Sequence, residues 1–180
     1  DGADGWTSSV GGDVSWTSAG GDDGGGHLVF SDGSSAGTFV EAPTSWLGDW
    51  SALDGSGTLS FSHRIVSAPS RLFELPYEVV LEGAGGTARW TASSAAGTTD
   101  WSTVEIALDA GDWDVEGASW DELIADITRL AIRVELVANP GGSVDIEAID
   151  SIRLAGSVVP GAPGLAIAAL SLVGRRRRRA

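Results

Sequence analysis

The chain has 180 residues, which suits one domain followed by a tail better than two domains. It is 42% hydrophobic, too apolar for a disordered chain, and it has no cysteine, which excludes a disulfide framework, a thiol nucleophile and any cysteine-held zinc or iron–sulfur site. The formal charge is −14, but all 25 acidic residues lie at or before Asp150 and five of the 11 arginines are Arg175 to Arg179, so the body alone carries −19 and is expected to repel nucleic acid.

The first 26 residues are rich in Gly, Asp and Ser, with Trp6 and Trp16 as the only large apolar groups, and read as irregular. Strand patterns follow over His27–Phe30 and Thr38–Ala42, separated by the turn-like stretch 31–37. Residues 57–66 alternate: Leu59, Phe61, His63 and Ile65 share one face, and Thr58, Ser60, Ser62 and Arg64 the other. This is the period of a half-buried strand. Residues 78–82 and 87–91 flank Gly83-Ala84-Gly85-Gly86, a hairpin with a glycine turn. Residues 103–109 put Val104, Ile106 and Leu108 inward, and residues 129–137 do the same with Leu130, Ile132, Val134 and Leu136. A last strand spans 143–154, with a change of phase near Asp150 that indicates a bulge. One helix is predicted over 120–128, where Ser119 caps and Glu122 completes a capping box. Many short strands, glycine turns and a single short helix point to an all-β antiparallel sandwich.

Several motifs invite chemistry. Gly33-Ser34-Ser35-Ala36-Gly37 matches the nucleophile-elbow spacing, but strand-like residues follow where the motif needs a helix. Only His27 and His63 could act as base, and His63 lies on the apolar face of its strand, where a packed histidine is expected. The run from Asp112 to Gly117 starts like a calcium loop but places Leu123, not Glu, at the twelfth position. A looser acidic site could use Asp109, Asp112 or Asp114; the alternative is a solvated loop beside a core tryptophan. Among the eight tryptophans, Trp46 and Trp50 lie in a loop and are candidate ligand-binding residues that could stack on sugars. Trp6, Trp90, Trp101, Trp113 and Trp120 are expected to pack in the core or at its rim.

In order along the chain, Gly5-Trp6, the segment Ala42 to Trp50, Gly57 to Phe61, Glu78 to Gly83, Asp112-Trp113, Ile127 to Arg133 and Ala148 to Leu154 resemble the conserved pieces of the laminin IV type A domain, also called the laminin B domain. That resemblance implies a jelly-roll β-sandwich over residues 1–157, similar to galactose-binding and carbohydrate-binding modules of extracellular proteins. It also implies that Asp150, with Asp4 or Asp13, could hold a structural calcium; the alternative at Asp150 is a carboxylate that accepts backbone N–H groups at a bulge.

Residues 158–180 carry a second resemblance. Val159-Pro160-Gly161-Ala162-Pro163, an apolar run over 164–174 expected to be helical, and Arg175, Arg176, Arg177, Arg178 and Arg179 follow the order of a PEP-CTERM sorting signal, although the usual glutamate is absent. The resemblance implies a membrane anchor processed by an exosortase-type enzyme, with the arginines as the stop on the cytoplasmic side. The chain also lacks methionine, as expected if a secretory signal has been cleaved upstream. Together these features indicate a non-catalytic, exported bacterial surface module with a structural or adhesive role. The alternative is a carbohydrate-binding protein of the extracellular matrix, and a hydrolase is the third reading.

Overall fold

The computed structural model describes residues 3–9, 13–32, 37–68, 73–95, 97–138 and 144–156. The sorting residues Val159 to Pro163, the apolar run, Arg175 to Arg179 and most of the Gly33–Gly37 motif lie outside the described residues. The strands are β1 (Thr7–Ser8), β2 (Asp13–Thr17), β3 (His27–Asp32), β4 (Phe39–Glu41), β5 (Gly57–Ser67), β6 (Phe73–Glu74), β7 (Pro76–Gly83), β8 (Gly86–Ala95), β9 (Ser102–Ala107), β10 (Asp114–Glu116), β11 (Ile127–Arg133), β12 (Val137–Ala138) and β13 (Asp145–Gly156), with α1 (Trp120–Ile124) before β11.

They form a six-stranded sheet, β1-β4-β11-β7-β8-β10, and a five-stranded sheet, β2-β3-β13-β5-β9, beside a small β12-β6 ribbon. All the described pairings are antiparallel. The alternation along β5 drives the packing: Leu59, Phe61 and Ile65 are buried, and Leu59 and Phe61 join Val79, Leu81, Leu130 and Ile132 of the opposite sheet in one core. This is the two-layer solution for sheets that are apolar on one face.

The glycine turn closes β7 onto β8 with Gly83 opposite Gly86, and Ala84 and Gly85 both take positive φ (39° and 78°). Two such residues in a row match the twist of a two-residue hairpin. The capping box at Ser119 and Glu122 is present. The helix ends at Ile124, shorter than the expected 120–128, because Ile127 is drawn into a sheet bridge: its N–H and C=O both pair with Gly48 at 2.8 Å. The strand expected over 129–137 likewise begins early and stops at Arg133, although Leu130, Ile132, Val134 and Leu136 are all buried as anticipated.

Three elements correct the sequence reading. The first 26 residues contain β1 and β2, and the acidic stretch after Asp112 contains β10, which pairs with β8. Each is short, and each gains its structure from a neighbouring strand rather than from its own pattern.

Candidate functional site

The outer face of the six-stranded sheet follows from the alternation. With Val40, Val79, Leu81, Ala88, Leu130 and Ile132 facing the core, the outward residues are Phe39 and Glu41 on β4, Arg129, Ala131 and Arg133 on β11, Glu78, Val80 and Glu82 on β7, and Arg89 on β8. Register places Glu41, Ala131, Val80 and Arg89 in one row across the four strands, and Arg129 opposite Glu82 in the next.

Two ion networks occupy this face. Arg129 donates from Nε and Nη2 to Glu41 Oε1 (2.9 and 2.7 Å) and from Nη1 to Glu82. Arg89 and Arg133 both reach Glu78, and the Arg133 guanidinium lies 5.3 Å from the centroid of the Phe39 ring. Burial works to lower the pKa of Arg129, but the two carboxylates outweigh it and hold the group above its ordinary value. For Arg133 burial, followed by the charge of Arg89, lowers it. Although they face outward, Ala131 is 0% and Val80 5% exposed. The long charged side chains around them form the surface. The result is an array of alternating guanidinium and carboxylate groups held in place by their mutual ion pairs, able to donate and accept hydrogen bonds.

The outer face of the five-stranded sheet is covered in part by the Ser18–Gly26 loop. Trp101 Nε1 donates to Gly20 O, Asp22 N–H donates to Asp150 Oδ2 at 2.8 Å, and the Ser62 hydroxyl donates to Asp22. Arg64 stacks on Trp101, 4.7 Å from the ring centroid. Asp150 stands at the bulge of β13, where pairing with β5 slips between Asp150 and Arg153, and its Oδ1 accepts from Ser151 N–H. Its carboxylate therefore accepts one backbone N–H from the bulge and one from the Ser18–Gly26 loop. Asp4 occupies a turn with φ 45°, and among the described residues no group of three or more His, Asp or Glu side chains is arranged to hold a metal ion. Asp109 caps a short 3-10 turn by accepting from Gly111 N–H, beside the buried Trp113.

Trp46 and Trp50, expected to stack on sugars, are 6% and 4% exposed and belong to the core. This corrects the expectation: a stacked sugar needs a free ring face, and these rings have none. Trp50 donates its indole N–H to Trp46 O, and Trp46 meets Trp6 edge-on. Trp6, Trp113 and Trp120 are buried, and Trp90 and Trp101 are half-buried.

His63 is 0% exposed, as its place on the inner face of β5 indicates. Its Nε2 lies 3.1 Å from Glu147 Oε2, and its Nδ1 3.4 Å from the Tyr77 hydroxyl. The second Glu147 oxygen accepts from Leu136 N–H. This histidine–carboxylate pair is sealed between the two sheets, where it ties strands together.

The arginine–glutamate array escaped the sequence reading. Its signal was nevertheless present: Glu78 and Glu82, and Arg129 and Arg133, each four apart, keep one sign of charge on one face of a strand.

No protein-family model matches the sequence, and no curated protein matches it. Among solved structures the chain is similar to the L4b domain of human laminin alpha-2, with a TM-score of 0.52 and 13% identity over 65% of this chain and 69% of that one. It is similar to part of an exo-beta-agarase, with a TM-score of 0.59 and 13% identity over 84% of this chain and 23% of that one. It is also similar to the CBM22-2 xylan-binding domain of Xyn10C from Paenibacillus barcinonensis, with a TM-score of 0.53 and 11% identity over 84% of this chain and 91% of that one. At these identities the likeness concerns the fold: the protein is a jelly-roll β-sandwich of the kind found in laminin L4 domains and carbohydrate-binding modules.

Proposed function

We propose that the chain is a non-catalytic, exported polysaccharide-binding module whose ligand lies across the outer face of the six-stranded sheet. The observation that carries this reading is the ion-paired array of Arg89, Arg129 and Arg133 with Glu41, Glu78 and Glu82. Groups already held in place lose little freedom on binding, and that freedom is a main cost of capturing a flexible chain. The xylan-binding domain of the same fold supports the ligand class. The laminin likeness supports an adhesive role, which polysaccharide binding would itself provide. A hydrolase is disfavoured because His63 meets its carboxylate only inside the core.

Affinity electrophoresis of the whole chain in gels containing soluble polysaccharides tests the reading. Retardation by at least one polysaccharide, lost in a Phe39→Ala, Arg133→Ala double variant that keeps its thermal midpoint, is the expected result. Retardation that persists unchanged in the variant would remove the face from consideration.

The tail belongs to the same proposal. Residues 158–180 act as a sorting and anchoring signal, on the strength of their proline motif, apolar run and arginine cluster. Intact-mass analysis of the mature surface protein tests this. A mass ending near Pro160 supports processing by an exosortase-type enzyme, and a mass that retains Arg179 rules it out.

A further inference from the structure

Three arginines on one face invite the reading of a site for acidic polysaccharides. We infer the opposite: this face takes a neutral, hydroxyl-rich glycan and turns away chains that carry uronate or sulfate groups. The inference rests on the proposed binding face and deepens it.

The argument is one of charge and occupancy. Each of the three guanidinium groups is already engaged: Arg129 between Glu41 and Glu82, and Arg89 and Arg133 together on Glu78. An incoming anion would meet guanidinium groups whose charge is already matched by carboxylates on neighbouring strands, and those carboxylates would stay beside it. Two further acids, Asp114 and Glu116 on β10, are exposed and pair in register with Arg89 and Thr87, so they border the same face. Five carboxylates therefore surround three guanidinium groups, in a body whose own charge is −19. Like charges crowded within a Debye length, about 8 Å at physiological salt, repel a further anion.

A hydroxyl meets no such barrier. It both donates and accepts, so it can bridge a guanidinium N–H and a neighbouring carboxylate oxygen without breaking the pair. Glu41 and Glu82 are partly exposed and offer oxygens with spare lone pairs, and the half-exposed Arg89 offers N–H groups beside its bond to the buried Glu78. The alternation of donor and acceptor across the strands suits vicinal hydroxyls on a sugar ring.

The experiment uses the whole chain in native gels at low ionic strength. One set of gels holds neutral polymers (xylan, mixed-linkage glucan, agarose) and the other anionic polymers (polygalacturonate, alginate, carrageenan). A Glu41→Gln, Glu82→Gln double variant, which frees Arg129, runs beside the wild type, and tryptophan fluorescence confirms its folding. The expected result is wild-type retardation by a neutral polymer alone, with the variant gaining at least about tenfold in affinity for an anionic polymer and losing that gain in salt. Wild-type retardation by an anionic polymer would overturn this inference and leave the polysaccharide reading standing. No retardation of the wild type by any polymer would overturn both. If the variant fails to fold, the wild-type contrast between the two sets decides alone.

Discussion

Trp120 and Asp54 are joined by a hydrogen bond from the indole N–H to Oδ1 at 2.8 Å, which ties the first turn of α1 to the loop before β5. Trp120 is buried, but the bond is only partly so and Asp54 itself is exposed, so water can take up some of what that carboxylate supplies. Asp54→Ala is expected to cost about 0.5–1.5 kcal/mol, the net worth of a typical hydrogen bond. Urea denaturation followed by tryptophan fluorescence measures this. A variant as stable as the parent would show that the contact adds nothing.

Gly83 closes the hairpin at a point where the chain has no room for a side chain. A Cβ there would stand 2.2 Å from Asp126 O and 2.9 Å from Leu123 O, both rigid backbone atoms at the end of α1. Gly83→Ala must push the helix away from β7, and should destabilise by about 1–3 kcal/mol, the usual range for overpacking. Calorimetry should show the midpoint falling by roughly 2–4 °C for each kcal/mol lost. Gly85→Ala is the informative partner, since that site has open space and only its positive φ resists the change.

Tyr77 is the only tyrosine in the chain, so its titration can be followed without interference. Burial, then the charge of Glu147, pushes its pKa up to about 12, against a smaller opposing hydrogen bond with Ser102. The native state therefore keeps this proton while the unfolded chain gives it up near the ordinary value of 10.0. Over that interval the native state binds more protons, so stability falls as pH rises. Ultraviolet difference spectra should show no phenolate in the native protein at pH values where the urea-unfolded protein is already ionised. Ionisation at the same pH in both states would contradict the burial.

How much of this was legible in the sequence depends on the distance between partners. The alternation of Leu59, Phe61, His63 and Ile65, the glycine hairpin, the capping box at Ser119 and the slip near Asp150 are all written within a dozen residues, and all are present. The array on the outer face was not legible, because Glu41, Arg129, Glu82 and Arg89 come together only through the order β4-β11-β7-β8. Trp46 and Trp50 misled for a related reason. Their segment has the composition of a loop, yet Gly48 and Trp50 bond to Ile127 and Ile124, and the chain is thereby pulled down over the core. Strand β10 was hidden by its acids, which an edge strand tolerates on its exposed face.

His27 offers the last test, through its pH dependence. It sits on the outer face of the five-stranded sheet but is only 3% exposed, because Trp101 meets it edge-on at 5.5 Å and the Ser18–Gly26 loop lies alongside. Burial, then the charge of Arg64, lowers its pKa below the ordinary 6.5, and Asp150 offsets this only in part. As pH falls through that ordinary value, the unfolded chain takes up a proton that the native state still refuses. The unfolded state then binds more protons, so the stability present above pH 6.5 is lost progressively toward the lowered native value. Thermal midpoints measured between neutral pH and about pH 5 should therefore decline in the wild type, and decline less in His27→Gln, where a neutral side chain of similar reach replaces the imidazole. The second histidine, His63, is present in both proteins and cancels in the comparison. Parallel curves for the two proteins would mean that His27 does not resist protonation, and that the loop above it opens freely enough to admit water.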